Sequence, residues 1–191
     1  SQLAGHSFPQ HLLEDGFFQA NLRLNRAIQR WVQHETSCIS GSSWPPQRDL
    51  LELFCGNGNL TLPAAGSFRR VLATELDRRA VAAASACAQR AGIDNVQFKG
   101  IKAEEVSLTG GAGNDFDFAA LLVDPPRKGL DANSLAIASC FEHVVYVSCN
   151  PQALARDLRS LSGHRVVAAC LFDQFPWTDH AEVAVRLRKE C

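Results

Sequence analysis

One stretch of the chain limits its architecture more than any other. From Ala119 to Val123 every residue is apolar, and Asp124-Pro125-Pro126 stops the run. A strand apolar towards both faces has to be covered on both faces. That is the condition of a parallel sheet between two layers of helices. The prolines end the strand because Pro has no N–H for the ladder and restricts the residue before it.

The rest of the pattern fits that sheet. Leu50 to Phe54 reads as a buried strand, followed by a Gly-rich turn and a short helix near Leu60 to Ala65. Val71 to Glu75 is a second strand, Arg78 to Ala91 a helix ended by Gly92, and Val96 to Ile101 a third strand. After the apolar fourth strand come a helix over Leu135 to Phe141 and a strand over Val144 to Val147. A helix with Pro151 at its start then runs to Leu161. Val166 to Phe172 and Glu182 to Leu187 are the last strands. Only about ten residues join them, which predicts antiparallel pairing. A mostly parallel sheet closed by an antiparallel C-terminal hairpin is the arrangement of Rossmann-like methyltransferases.

Ahead of the sheet, Phe17 to about His34 has helical spacing of Leu22, Ala27, Ile28, Trp31 and Val32. Residues 35 to 48 read as a polar Gly/Ser/Pro linker. The expected organisation is a helical lead-in and linker over 1–48 and one α/β domain over 49–191. The chain contains no methionine and begins at Ser1, which reads as a piece of a longer protein.

Composition narrows the function classes. The 191 residues suffice for one domain with a sizeable core, and 46% hydrophobic with 20% charged residues is ordinary for a globular chain. No apolar run reaches membrane-spanning length, and the first ten residues show no signal peptide. The seven cysteines are odd in number and scattered, without metal-ligand spacing to the six histidines. This argues against a disulfide framework and a metal site, and for a cytoplasmic protein. Most of the cysteines are expected to be small buried hydrophobes. The net charge of −1 gives no global attraction to nucleic acid.

The first turn, LLELFCGNGNL over residues 50 to 60, is where such a sheet binds a ligand. Gly56 and Gly58 allow a sharp bend and close approach. Thr61 stands where a dinucleotide fingerprint has its third glycine, which argues against a pyrophosphate cradle and for S-adenosyl-L-methionine. Glu75, nineteen residues after Gly56, ends the second strand where a carboxylate meets ribose hydroxyls. On this turn alone NAD remains a competitor.

Three more segments carry reactive groups: Asp124 to Arg127, Ser148-Cys149-Asn150-Pro151, and Glu182 in the last strand. Cys149 precedes a helix, whose N-terminus is expected to favour its thiolate. Methyl transfer to carbon 5 of uracil has a use for such a group. A thiolate added at carbon 6 makes carbon 5 nucleophilic, and a base must later remove the carbon 5 proton. Glu182 is the candidate base, and the target nucleotide has to be turned out of its stack.

LLELFCGNGNLTL, VLATELDRRAVAAA, AGIDNVQF, VDPPRKGLD, YVSCNP and LFDQFPWTDHAEV together resemble the RNA uridine-5-methyltransferases, from about residue 16 to the end. The likeness is to the C-terminal catalytic domain of the bacterial members that act on tRNA uridine 54. It implies a Rossmann-like class I methyltransferase fold, S-adenosyl-L-methionine as cofactor and tRNA as partner, with no obligate protein partner. It also implies roles. Gln19 of Phe17-Phe18-Gln19-Ala20-Asn21, Phe54, Asn59, Glu75 and Asp124 bind the cofactor. Cys149 is the nucleophile, Glu182 the proton acceptor, and Arg127 and Gln174 are placed to help hold RNA.

The family pattern departs in two respects. Where members carry His-Met/Leu-Glu-Cys, this chain has His180-Ala181-Glu182-Val183, keeping the acid. Members also have an upstream region that shapes the cleft and grips RNA, expected to lie outside these residues. Three other readings compete. Ribosomal-RNA members share the chemistry, but tend to have Asp-Met-Phe-Pro where this chain has Asp173-Gln174-Phe175-Pro176. A non-catalytic RNA-binding module would need neither Cys149 nor Glu182. An NAD oxidoreductase is opposed by the missing third glycine.

Overall fold

The computed structural model describes residues 21–40, 46–106, 115–173 and 181–190. Seven strands form one sheet: β1 (Asp49–Leu53), β2 (Val71–Thr74), β3 (Val96–Lys99), β4 (Phe118–Val123), β5 (His143–Ser148), β6 (His164–Phe172) and β7 (Glu182–Lys189). Their order is β3-β2-β1-β4-β5-β7-β6. Neighbours from β3 to β5 pair in parallel, while β7 runs antiparallel to both β5 and β6. The expected hairpin is present, and its second strand inserts between β5 and β6.

Helices cover both faces, as the apolar strands require. α1 (Leu22–Ser40) and α2 (Thr61–Ala65) close one face, where Ile28, Val32, Ala64 and Ala65 pack on Leu50, Ala120, Leu122, Val145 and Val147. α4 (Ala132–Cys140) and α5 (Pro151–Ser160) close the other, where Ala138, Phe141 and Leu154 meet Leu51, Leu53, Leu121, Val123, Val144 and Tyr146. α3 (Arg78–Arg90) packs against α2 through Cys87 and Ala88 on Leu62. Alternate residues of β1, β4 and β5 thus enter opposite cores, so none of these strands shows a polar face. Among the described residues no helix is long and apolar enough to cross a membrane.

The first helix departs from the expectation at its C-terminal end, while 17–20 of the expected helix lie outside the described residues. Asn21 starts it, its side chain accepting from the Arg23 and Leu24 N–H groups at 3.1 and 3.2 Å. It then runs through Glu35-Thr36 to Ser40, six residues into the expected linker. These polar residues are helical because they are satisfied. Thr36 is buried with its hydroxyl on the Val32 carbonyl at 2.8 Å. Glu35 is buried and pairs with Arg186 of β7 at 2.6 Å.

The expectation for cysteines is also corrected. Of the six described, Cys55 and Cys87 are buried, Cys38 and Cys140 are exposed, and Cys149 and Cys170 are intermediate. Cys38 and Cys140 sit near helix C-termini, outside either core.

Candidate active site

The cofactor end is built by backbone conformation. β1 ends at Leu53, and Phe54, Gly56 and Gly58 all have positive φ, of 62°, 52° and 83°. A phenylalanine held in the left-handed region costs about 1–3 kcal/mol and marks a site that needs that shape. A Cβ on Gly58 would sit 3.3 Å from the Ala84 Cβ of α3, so the turn is also pressed against a helix.

Glu75 locks this turn from β2. Its Oε2 accepts from the Gly56 N–H at 3.1 Å, and Oε1 accepts from Leu76 and Asp77 N–H at 2.7 and 2.9 Å. A carboxylate offers about four lone-pair directions, so acceptor capacity remains for a hydroxyl. Beside it lies a cleft of about 230 Å³ lined by Phe54, Glu75, Leu76, Ile101, Ala103 and Asp131, among others. Asn59 turns towards α1 instead. It exchanges amide bonds with Asn25 at 2.9 and 3.0 Å and accepts from Gln29 at 2.8 Å.

The other end is built by strand register. Side chains alternate along a strand. Leu50, Leu122, Val147 and Ala184 face the core under α1. Two residues further along or back, Glu52, Asp124, Cys149 and Glu182 therefore share that face. Ser148 of β5 pairs with Val183 of β7, which sets the next residues outward, Cys149 and Glu182, across from each other. Mutual electrostatic effects agree. Asp124 acts on Glu52, and Glu182 acts on both Asp124 and Cys149.

Burial makes this rim reluctant to ionise. Glu52 is almost wholly buried and its Oε2 has no hydrogen-bond partner. Burial, with the Asp124 charge added, pushes its carboxyl up to about 8. The Thr61 hydroxyl pulls the other way, although it lies outside hydrogen-bonding geometry. Asp124 is part-exposed as a residue, but its carboxyl is packed in, and burial and Glu182 push it up to about 8.

Cys149 corrects an expectation. Burial raises its thiol first, then the charges of Glu182 and Asp124, with Arg127 opposing them. The first N–H groups of α5 are taken by its own cap. The Asn150 side chain accepts from Gln152 and Ala153 N–H at 3.1 and 3.2 Å. The same side chain donates to the Arg127 carbonyl at 2.8 Å, tying the β4 loop to the β5 loop. Cys55, in the glycine turn, is pushed far higher by burial and by Glu52 and Glu75, so it is no rival nucleophile.

Five of the seven expected site residues thus fall on described parts of two adjoining areas: Phe54 and Glu75 at the cleft, Asp124, Cys149 and Glu182 on the rim. Asn59 lies in the turn with its amide on α1. Gln19 lies outside the described residues, as does Gln174. Glu52 was missed, although an acid within the apolar run LLELF is a signal of its own. Asn25, Gln29 and Asp131 carried none, because their contacts are long-range.

The sheet order, the covering layers and the cleft at the strand ends define a Rossmann-like class I methyltransferase domain. An rRNA methylase from Streptococcus thermophilus shares the fold, with a TM-score of 0.65 at 16% identity over 84% of this chain and 95% of that one. Pyrococcus abyssi tRNA (uracil-54, C5)-methyltransferase, solved with S-adenosyl-L-homocysteine, superposes with a TM-score of 0.73 at 26% identity, over 91% of this chain and 40% of that one. In sequence, the tRNA/tmRNA (uracil-C(5))-methyltransferase of Idiomarina loihiensis is 40% identical, over 97% of this chain and 52% of that protein. Residues 1–190 match the tRNA (Uracil-5-)-methyltransferase family, and the chain belongs to it. It spans about half the length of the curated relatives it matches.

Proposed function

We propose that this chain is the catalytic domain of a cytoplasmic enzyme that methylates carbon 5 of a uridine in tRNA, at position 54 of the T-loop, using S-adenosyl-L-methionine. The observation that carries this reading is the placement of Cys149 across from Glu182, with Asp124 beside them, at the end of the sheet next to the cleft.

The cleft suits the cofactor. Phe54, Leu76 and Ile101 would offer apolar walls to a purine, Glu75 has acceptor capacity left for ribose hydroxyls, and the carboxyls of Asp124 and Glu52 on the rim would attract a cationic centre. Gln19 completes the set, and Asn59 serves it by holding the turn on α1. When bound, the cofactor supplies an electrophilic methyl group.

The chain's own groups do the rest. Cys149 Sγ, as thiolate, forms a bond to uracil carbon 6. The ring's π electrons move to the carbonyl oxygen, and carbon 5 becomes the nucleophile. Once carbon 5 is methylated, the Glu182 carboxylate removes its proton. The ring double bond re-forms and the S–C6 bond breaks. Arg127, exposed beside Cys149, supports the thiolate and meets RNA phosphate.

The test is a tRNA carrying 5-fluorouridine, incubated with the protein and S-adenosyl-L-methionine. Fluorine cannot leave as a proton, so protein and RNA should stay joined on a denaturing gel. The band should vanish in Cys149→Ala. With ordinary tRNA, Glu182→Gln should accumulate the adduct. Normal turnover by Glu182→Gln would remove it as the base. Equal trapping on a ribosomal-RNA fragment would overturn the tRNA assignment.

A further inference from the structure

The loop between β4 and α4 carries Asp124 and Arg127 and ends at Asp131, on the wall of the cleft. α5 and its cap grip the backbone of this loop at three points. Asn150 Nδ2 donates to the Arg127 carbonyl at 2.8 Å, and Arg156 Nη2 donates to the Lys128 carbonyl at 2.7 Å. The Leu130 N–H donates to Asp157 Oδ2 at 2.8 Å.

Asp157 is the centre of this grip. It is fully buried. Its Oδ2 also accepts from the Tyr146 hydroxyl of β5 at 2.7 Å. Its Oδ1 accepts from Arg156 Nε and Nη2 at 3.0 and 2.7 Å. Gly129, at φ +79°, leaves room for it: a Cβ there would lie 2.5 Å from Asp157 Oδ2 and 2.6 Å from Arg156 Nη2. A buried carboxylate is costly, and an apolar side chain would fill a core position at less cost. The bonds of this one run to the loop, to the arginine that holds the loop, and to the strand that leads to Cys149.

We propose that Asp157, set between Tyr146 and Arg156, is a positioning residue: it holds the 124–131 loop so that Arg127 stays beside Cys149 and Asp131 stays on the cleft wall. This rests on the reading of Cys149 as the nucleophile. Around Cys149 the charged groups are Glu182 from β7 and Asp124 and Arg127 from the loop, and Arg127 alone favours the thiolate. Asp124 follows directly on β4, whereas the contacts from α5 fall on 127–130, so loosening them frees Arg127 and leaves Asp124 in place.

The test reads the thiol itself. Alkylation of the 191-residue protein by iodoacetamide is followed against pH, with each cysteine resolved by mass spectrometry. Exposed Cys38 reports the reagent, and buried Cys55 reports unfolding. In Asp157→Asn and Gly129→Ala, the Cys149 titration should move up by about one unit, so labelling at a fixed lower pH slows about tenfold. Tyr146→Phe should move it less, in the same direction. Arg127→Ala should give the same shift, and adding Asp157→Asn to it should change little more.

An unmoved Cys149 titration in folded Asp157→Asn would make the residue a core group only and overturn the proposal. If Asp157→Asn exposes Cys55, unmoved titrations in both Tyr146→Phe and Gly129→Ala would do the same. The readout needs neither RNA nor cofactor. A titration shift without any RNA adduct would therefore leave the positioning role standing and remove the functional reading alone.

Discussion

The two ends of the site are made by different means. At the cofactor end, three positive-φ residues and one carboxylate accepting three backbone N–H groups set the shape within about twenty residues of chain. At the catalytic end, Asp124, Cys149 and Glu182 stand at the ends of three strands and meet only because the sheet brings those ends into register. The first is a matter of conformation and tolerates little change in backbone. The second is a matter of charge, where two carboxyls raise a thiol and one arginine opposes them. Substitutions should therefore separate the two: backbone changes at the turn alter cofactor affinity, and isosteric charge changes on the rim alter the chemical step.

The largest expected effect tests that division directly. Glu182→Gln should lower turnover by about 10²–10⁴-fold, the usual loss for a general base, while cofactor affinity by calorimetry stays near that of the wild type. An equal loss of affinity would dissolve the distinction between the ends.

Next is the pair that joins α1 to β7. Glu35 and Arg186 are 7% and 18% exposed, and removing one partner leaves a charge mostly buried. Glu35→Ala should cost about 2–3 kcal/mol in urea unfolding, below the full value for a wholly buried pair. Release of the RNA adduct should suffer more than cofactor binding, because β7 carries Glu182.

Gly58→Ala probes the other end. The new Cβ meets Ala84 at 3.3 Å in a backbone region that disfavours side chains, so about 1–2 kcal/mol of stability should go. Cofactor affinity should fall with it, and the pH titration of Cys149 should not move.

The smallest effect is in the dependence of stability on pH. The Glu52 and Asp124 carboxyls are raised to about 8 in the folded protein, so between their unfolded values and about 8 the folded state binds more protons. Their contribution is fully present below the unfolded carboxylate pKa and is lost as pH rises through about 8. The cofactor-free protein should melt several degrees lower above that pH than near pH 5, and Asp124→Asn should flatten the fall. Binding of the cationic cofactor should strengthen over the same range as the carboxyls ionise.

The division between the ends also marks what could be read in the chain. Strand and helix types, the glycine turn, the spacing of Glu75 and the antiparallel close were legible because each is a local pattern: a two-residue or helical period, or a Gly or Pro with one conformational meaning. The continuation of α1 to Ser40 was not. Glu35 and Thr36 look like linker, and only Arg186, far away in sequence, makes burial of Glu35 acceptable. Nor could a local signal show that Asn59 faces α1.

By itself the sequence determined an α/β sheet buried on both faces, a glycine turn at the end of its first strand, and the residue types that can add to a pyrimidine ring and take its proton. The tertiary structure decided that β7 enters between β5 and β6, and so that Glu182 stands across from Cys149. It also decided that Glu52 and Asp124 crowd the same face and that the thiol is raised. The reason is physical: propensity and periodicity act over a few residues. Register and electrostatics depend on which strands become neighbours, and that is settled only when both layers of the core close at once.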